Sequence, residues 1–178
     1  MEGAFEREPG HGKKATRGCP CGYFGDPQHN CVCGPLGVER YLARVSGPLL
    51  DRIDIHLEVP AVKYRALADQ GGSEPSEAVR ERVDRARAAQ RDRFANRAGV
   101  YANAHMAARD IRIFCRVSDG ADALLRTAIT RLALSARAYH RILKIARTLA
   151  DLEGATDLQP KHVSEAIQYR SLDRRGLA

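Results

Sequence analysis

Leu134–Gly154 reads LSARAYHRILKIARTLADLEG, and this stretch decides the fold. Tyr139, Ile142, Leu143, Ala146 and Leu149 recur at helical spacing, which predicts a helix with one apolar face. Ser135 stands at the N-cap position, where its hydroxyl oxygen can accept from a first-turn amide that has no helical partner. Gly154 follows the last periodic residue and can take the left-handed conformation that ends a helix. Downstream, Pro160 opens another helix, because the first helical position needs no N–H donor. Val163, Ala166 and Ile167 form its inward face.

Upstream, Ser118 predicts the cap of a helix carrying Leu124, Leu125, Ala128, Ile129 and Leu132. Residues 107–117 (AARDIRIFCRV) read as a short helix or an extended segment. From Ser76 to about Asn96 runs a long, highly charged helix. Its thin apolar stripe, Val79, Val83, Ala86 and Phe94, predicts packing on one face only. The expectation is a mainly α protein whose residues 76–174 form a compact bundle of four or so helices.

The N-terminal part reads differently. Residues 1–18 are polar and Gly-rich, without periodicity, and are expected to be a disordered leader. Residues 35–45 predict a short helix with Val38, Leu42 and Val45 on one side, and Pro48 opens one further helical turn. Ile53, Ile55, Leu57 and Val59 alternate with Asp54, His56 and Glu58, which predicts one strand closed by Pro60. One strand makes no sheet, so it hangs on the edge of something else or lacks its partners. Residues 61–75, with Gly71 and Gly72, read as a linker.

Composition narrows the classes. The chain has 178 residues, 44% of them apolar and 29% charged, a globular balance. No stretch approaches 18 consecutive apolar residues, which excludes a helical membrane span. The N-terminus lacks an apolar h-region, so the expected location is cytoplasmic. Net charge is +7, unevenly placed: residues 1–60 carry −1 and residues 61–178 carry +8. A basic half points to phosphates, nucleic acid or an acidic partner surface. The alternative is that arginine serves only to solvate the surface.

Four of the five cysteines fall in one loop as Cys19, Cys21, Cys31 and Cys33, a C-x-C…C-x-C pattern. Clustered thiols without a secretion signal point to metal rather than disulfides. An all-cysteine set is a common structural zinc shell. His29 could replace one sulfur, and four reduced thiols without metal is the competing reading. An iron–sulfur cluster would use the same ligands. Cys115 reads as a buried hydrophobe. Arg52 stands at an element boundary between Asp51 and Asp54, where a surface ion pair is the plain expectation.

Taken together, CPCGYFGD (19–26), CVC (31–33), YLARVSGPLLDRIDIHLEVP (41–60), LSARAYHRILKIARTLADLEG (134–154) and HVSEAIQYRSLDR (162–174) resemble the magnesium-chelatase-like AAA+ ATPases. More narrowly they are similar to the bacterial competence-protein-M type. The likeness covers residues 19–174. It implies that residues 19–60 are the tail of an α/β ATPase core and residues 76–174 the helical lid. It implies ATP and Mg2+ as cofactors of the intact protein, a homo-oligomeric ring, and DNA remodelling by branch migration in natural transformation. It also implies Arg52 as an arginine finger acting on a neighbouring subunit's ATP, and Arg137 as the sensor-2 arginine. In the family an Asn-Pro pair usually leads into the CPCG run, whereas Arg17 and Gly18 stand here, which puts the sensor-1 residue in doubt.

A P-loop requires G-x-x-x-x-G-K-[ST], whose amides cradle phosphates. The nearest run, Gly10-His11-Gly12-Lys13-Lys14, has Arg7 in place of the first Gly and Lys14 in place of the hydroxyl residue. The dipeptide Asp-Glu of a Mg2+-binding strand does not occur. The expectation is that this chain alone does not hydrolyse ATP and works with an N-terminal ATPase core. Two alternatives stand beside it. One is a free-standing zinc-loop and basic helical module that binds nucleic acid; the other is a partner in metal insertion.

Overall fold

The computed structural model describes residues 18–26, 29–44, 46–50, 52–57, 59, 74–132 and 134–170. The expected leader (residues 1–17 of it) and most of the expected linker (residues 61–73) lie outside the described residues. The chain divides into two compact units. One comprises Met1–Ser46 with Val59–Leu67; the other comprises Gly47–Glu58 with Ala68–Ala178.

In the first unit a cysteine-bearing loop leads into α1 (Pro35–Leu42). Gly22 and Gly25 both have positive φ, at 85° and 80°, so the loop turns where side chains are disfavoured. Gly34 caps α1 in an extended conformation and Pro35 occupies the first helical position. Val38 is the buried residue of α1.

The second unit holds α2 (Gly47–Leu50), α3 (Ser76–Phe94), a 3-10 turn (Asn103–His105), α4 (Ala108–Phe114), α5 (Asp119–Arg131), α6 (Ala136–Glu153) and α7 (Pro160–Gln168). The mainly α class is therefore the observed one. The central element is α6, which packs on α3, α4, α7 and the 3-10 turn, while α5 packs on α7. Ala138, Ile142, Leu143, Ile145, Ala146 and Ala150 are its buried apolar residues. The small residues among them let neighbouring backbones approach closely, and Leu125, Leu158 and Val163 fill the spaces between helices. Both ends of α6 behave as predicted. Ser135 Oγ accepts from the Ala138 amide at 3.1 Å. Gly154 takes φ 73°, and the Ala155 amide reaches back to the Ala150 carbonyl at 2.8 Å.

Three expectations need correction. No strand forms at 53–59 among the described residues; 53–57 is irregular. Its backbone is bound to the helical unit instead: the His56 amide donates to the Tyr169 carbonyl at 2.6 Å, and Arg170 Nη1 donates to the Ile53 carbonyl at 3.1 Å. A strand without ladder partners takes whatever acceptors and donors its surroundings offer. Ser118 sits at the N-cap of α5, but its hydroxyl makes no cap bond. Its amide is held by the Leu158 carbonyl at 3.0 Å, in the parallel bridge Val117–Leu158 that ties the start of α5 to the start of α7. On α3, Ala86 and Phe94 are buried, but Val79 and Val83 are exposed. Residues 107–117 resolve into α4 followed by the bridge at Val117.

Beneath α6 lies a buried ionic network that connects four segments. Asp151 accepts from Arg93 Nη1 at 2.7 Å, Arg147 Nε at 2.9 Å and Asn103 Nδ2 at 2.8 Å. Arg147 also donates to the carbonyls of Ala155 and Thr156. Gln90 accepts from the Asn103 amide at 3.2 Å. Burial pushes the Asp151 carboxyl up, but hydrogen bonds from Arg93 and Asn103 and the charges of both arginines outweigh it and hold it below the usual value.

Candidate functional site

One cleft of about 400 Å³ opens beside the N-terminal half of α6. Arg137, His140, Arg141 and Lys144 line one wall; Met106, Ala108 and Ile111 line the other. The basic four follow the i, i+3, i+4, i+7 spacing of a single helical stripe. Arg137 is exposed in the first turn of α6, the end of the helix whose dipole favours an anion. Lys144 Nζ donates to the Ala104 carbonyl at 2.7 Å, and burial holds its ammonium below the usual value. Arg137 and Arg141 bring guanidinium charge to the cleft from one helix, an arrangement suited to phosphate.

Arg52 is exposed just after α2, with its amide bonded to the Leu49 carbonyl at 3.0 Å. It does not line the cleft. Two residues on, Asp54 Oδ1 lies 2.7 Å from Arg141 Nη1. Arg52 and Arg137 thus stand in the same compact unit, with the segment following Arg52 fixed to the cleft helix one turn from Arg137. Asp54, which the sequence offers as an ion-pair partner for Arg52, pairs with Arg141. His140, Arg141 and Lys144 were not expected as cleft residues, although their spacing with Arg137 was readable as a polar stripe.

The cysteine loop brings four sulfurs together. Cys19 Sγ lies 3.2 Å from Cys21 Sγ and 3.6 Å from Cys31 Sγ, and Cys21 Sγ is 3.6 Å from Cys31 Sγ. The Cys33 sulfur completes a set in which all four ligand atoms lie within 4.8 Å of one another. All four are free thiols. His29 is not in the set: its Nδ1 lies 3.3 Å from Asp26 Oδ2 and its ring stacks on Tyr23. The Tyr23 backbone and the Cys19 thiol lower the Cys21 thiol to about 6. The Cys33 backbone pulls Cys31 down, but desolvation and the thiols of Cys21 and Cys19 outweigh it and raise Cys31 to about 12. Cys115 lies in the helical core, buried, with its thiol pushed up to about 12 by desolvation, as a structural cysteine should be.

The fold and its cleft define a class: an all-helical domain with a basic stripe at the start of its central helix. Residues 73–170 match the family described as magnesium chelatase, subunit ChlI C-terminal, and residues 14–67 match magnesium chelatase, subunit ChlI. The chain belongs to this magnesium-chelatase-like family. It is 41% identical to Competence protein ComM of Haemophilus influenzae over 156 residues, which is 87% of this chain and 29% of that protein. It is 36% identical to YifB of Escherichia coli over 156 residues, again 87% of this chain and 29% of the relative. An uncharacterized protein of Mycobacterium tuberculosis is 37% identical over 161 residues, 90% of this chain and 31% of the relative. The chain therefore spans about three-tenths of the length of the curated relatives it matches. Among the described residues, no helix is long and apolar enough to cross a membrane.

Proposed function

We propose that this chain is the C-terminal lid and adjoining core tail of a AAA+ ATPase that remodels DNA, working with a P-loop core as part of a homo-oligomeric ring. One observation carries the reading: the helical unit whose basic cleft is lined by Arg137 also carries Arg52, with the intervening Asp54 paired to Arg141. In this reading Arg137 contacts the phosphates of ATP, and Arg52 acts on the ATP of a neighbouring subunit. Each supplies fixed positive charge where negative charge develops on the transferring phosphoryl group. The ion pair and backbone bonds of residues 53–56 hold the Arg52 segment to the helical unit that carries Arg137. ATP and Mg2+ are the cofactors of the intact assembly.

The DNA role draws on the competence relative and on the +8 charge of residues 61–178. It takes the form of branch migration during natural transformation, in the cytoplasm. The test uses this chain with ATP and Mg2+. The expected result is no turnover above the protein-free rate, since the sequence holds no P-loop. Clear Mg2+-dependent turnover would refute the division of labour. Salt-dependent DNA binding by the chain alone, with ATP turnover of the protein that joins it to a P-loop core indifferent to Arg52 and Arg137, would favour a free-standing nucleic-acid module instead.

A further inference from the structure

The cysteine loop takes no part in the nucleotide reading, and its geometry asks for an explanation of its own. Four polarizable donors, 10 and 12 residues apart in sequence for two of the close pairs, converge on one point. Thiols gain little from crowding one another. A zinc ion bound at about 2.3 Å by four sulfurs sets them about 3.8 Å apart, the edge of the tetrahedron. Three of the separations, 3.2 to 3.6 Å, fall a little short of that edge, and all four sulfurs lie within 4.8 Å of one another, close enough for one ion to draw them into its shell. A multi-iron cluster divides its thiolates among two or more irons, so the four sulfurs do not all share one ion's shell. The surroundings agree with a closed shell. Cys19 is fully buried, the other three are half-buried, and His29 is turned away onto Asp26.

We infer that Cys19, Cys21, Cys31 and Cys33 bind one zinc ion in a closed, structural tetrahedral site. All four positions are protein thiolates, so the ion offers no open position for water or substrate. Its work is to fold the loop: it joins the Gly22 turn to Cys33, which directly precedes the Gly34 cap and the start of α1. The fixed start lets an eight-residue helix persist that would not be stable alone.

The test is metal titration of the reduced, chelator-treated chain. Elemental analysis after Zn2+ addition and gel filtration should give one zinc per chain. Co2+ as the probe should give the visible bands of tetrahedral thiolate coordination, and Zn2+ should bleach them. C19S/C21S should abolish the bands, while C115S should leave stoichiometry and spectrum unchanged. The thermal transition of the helical unit, followed in C19S/C21S, shows whether that variant is still folded. The inference is overturned if the wild-type chain takes up no zinc, if Co2+ stays octahedral, if iron with its own visible absorption is the bound metal, or if C115S loses the site. None of these results bears on the nucleotide reading, which is tested through Arg52 and Arg137.

Discussion

Asp151 is the sharpest place to test the packing beneath the cleft helix. Asp151→Asn keeps the shape but removes the charge that balances Arg93 and Arg147. Both oxygens of Asp151 are used: one faces Arg147 Nε at 2.9 Å, and the other faces Arg93 Nη1 at 2.7 Å and Asn103 Nδ2 at 2.8 Å. Arg147 is only 3% exposed and cannot turn to solvent without opening the core. Breaking a buried pair by removing one partner costs about 3–5 kcal/mol, because the remaining charge stays buried. Against a domain stability of about 5–15 kcal/mol, that is a large share. In a domain of this size it lowers Tm by roughly 12 °C or more.

The assay is urea unfolding followed by far-ultraviolet circular dichroism, with the m-value checked for constancy. The pH dependence provides a second readout. The folded carboxyl lies below its ordinary value, so its contribution is present above the unfolded value near 3.9 and is lost as pH falls through the folded one. The gap between wild type and variant should therefore be full at neutral pH and narrow on acidification. A loss below about 1 kcal/mol, or a gap that does not narrow, would refute the network as a stabilising element.

Ile142→Ala, at a fully buried position on α6, should cost about 2–5 kcal/mol in the same assay. Gly154→Ala places a side chain at φ 73° and should cost about 1 kcal/mol or more, although open space surrounds the position. Asp54→Ala removes a pair whose acid is half-exposed, so global stability should fall by no more than about 1 kcal/mol. Its effect should appear instead as faster hydrogen exchange at the His56 amide, which the bonded segment now protects.

Much of the helical unit was legible in the sequence because its signals are local. Ser135, Gly154 and Pro160 bracket α6 and α7 as their capping chemistry demands, and the apolar spacing of Ile142, Leu143 and Ala146 marks the buried face. The segment at 53–59 was misread for an equally physical reason. Alternation reports that two faces differ; it does not report whether a partner strand exists, and here the acceptor is the Tyr169 carbonyl at the end of α7. Val79 and Val83 share the stripe of Ala86 and Phe94, but no periodicity tells how far along α3 the contact with α6 extends. The Asp151 network joins residues 58 apart in sequence, beyond any local pattern. At the candidate sites, the four cysteines were visible as a spacing, but the dismissal of His29 needed the Asp26 contact in three dimensions.

The most direct test of the account is the rate of ATP hydrolysis in the protein that joins this chain to a P-loop core, with Arg52→Ala and Arg137→Ala compared against Arg80→Ala on the exposed face of α3. Arg52→Ala should lower kcat by about 10³-fold or more, as removal of an arginine finger does. Arg137→Ala should lower it as well, and Arg80→Ala should leave it unchanged. Mixing Arg52→Ala subunits with subunits lacking the P-loop lysine should restore part of the activity, because the finger of one serves the nucleotide of the other. Variants at Arg52 and Arg137 that turn over ATP like the wild type would contradict the account.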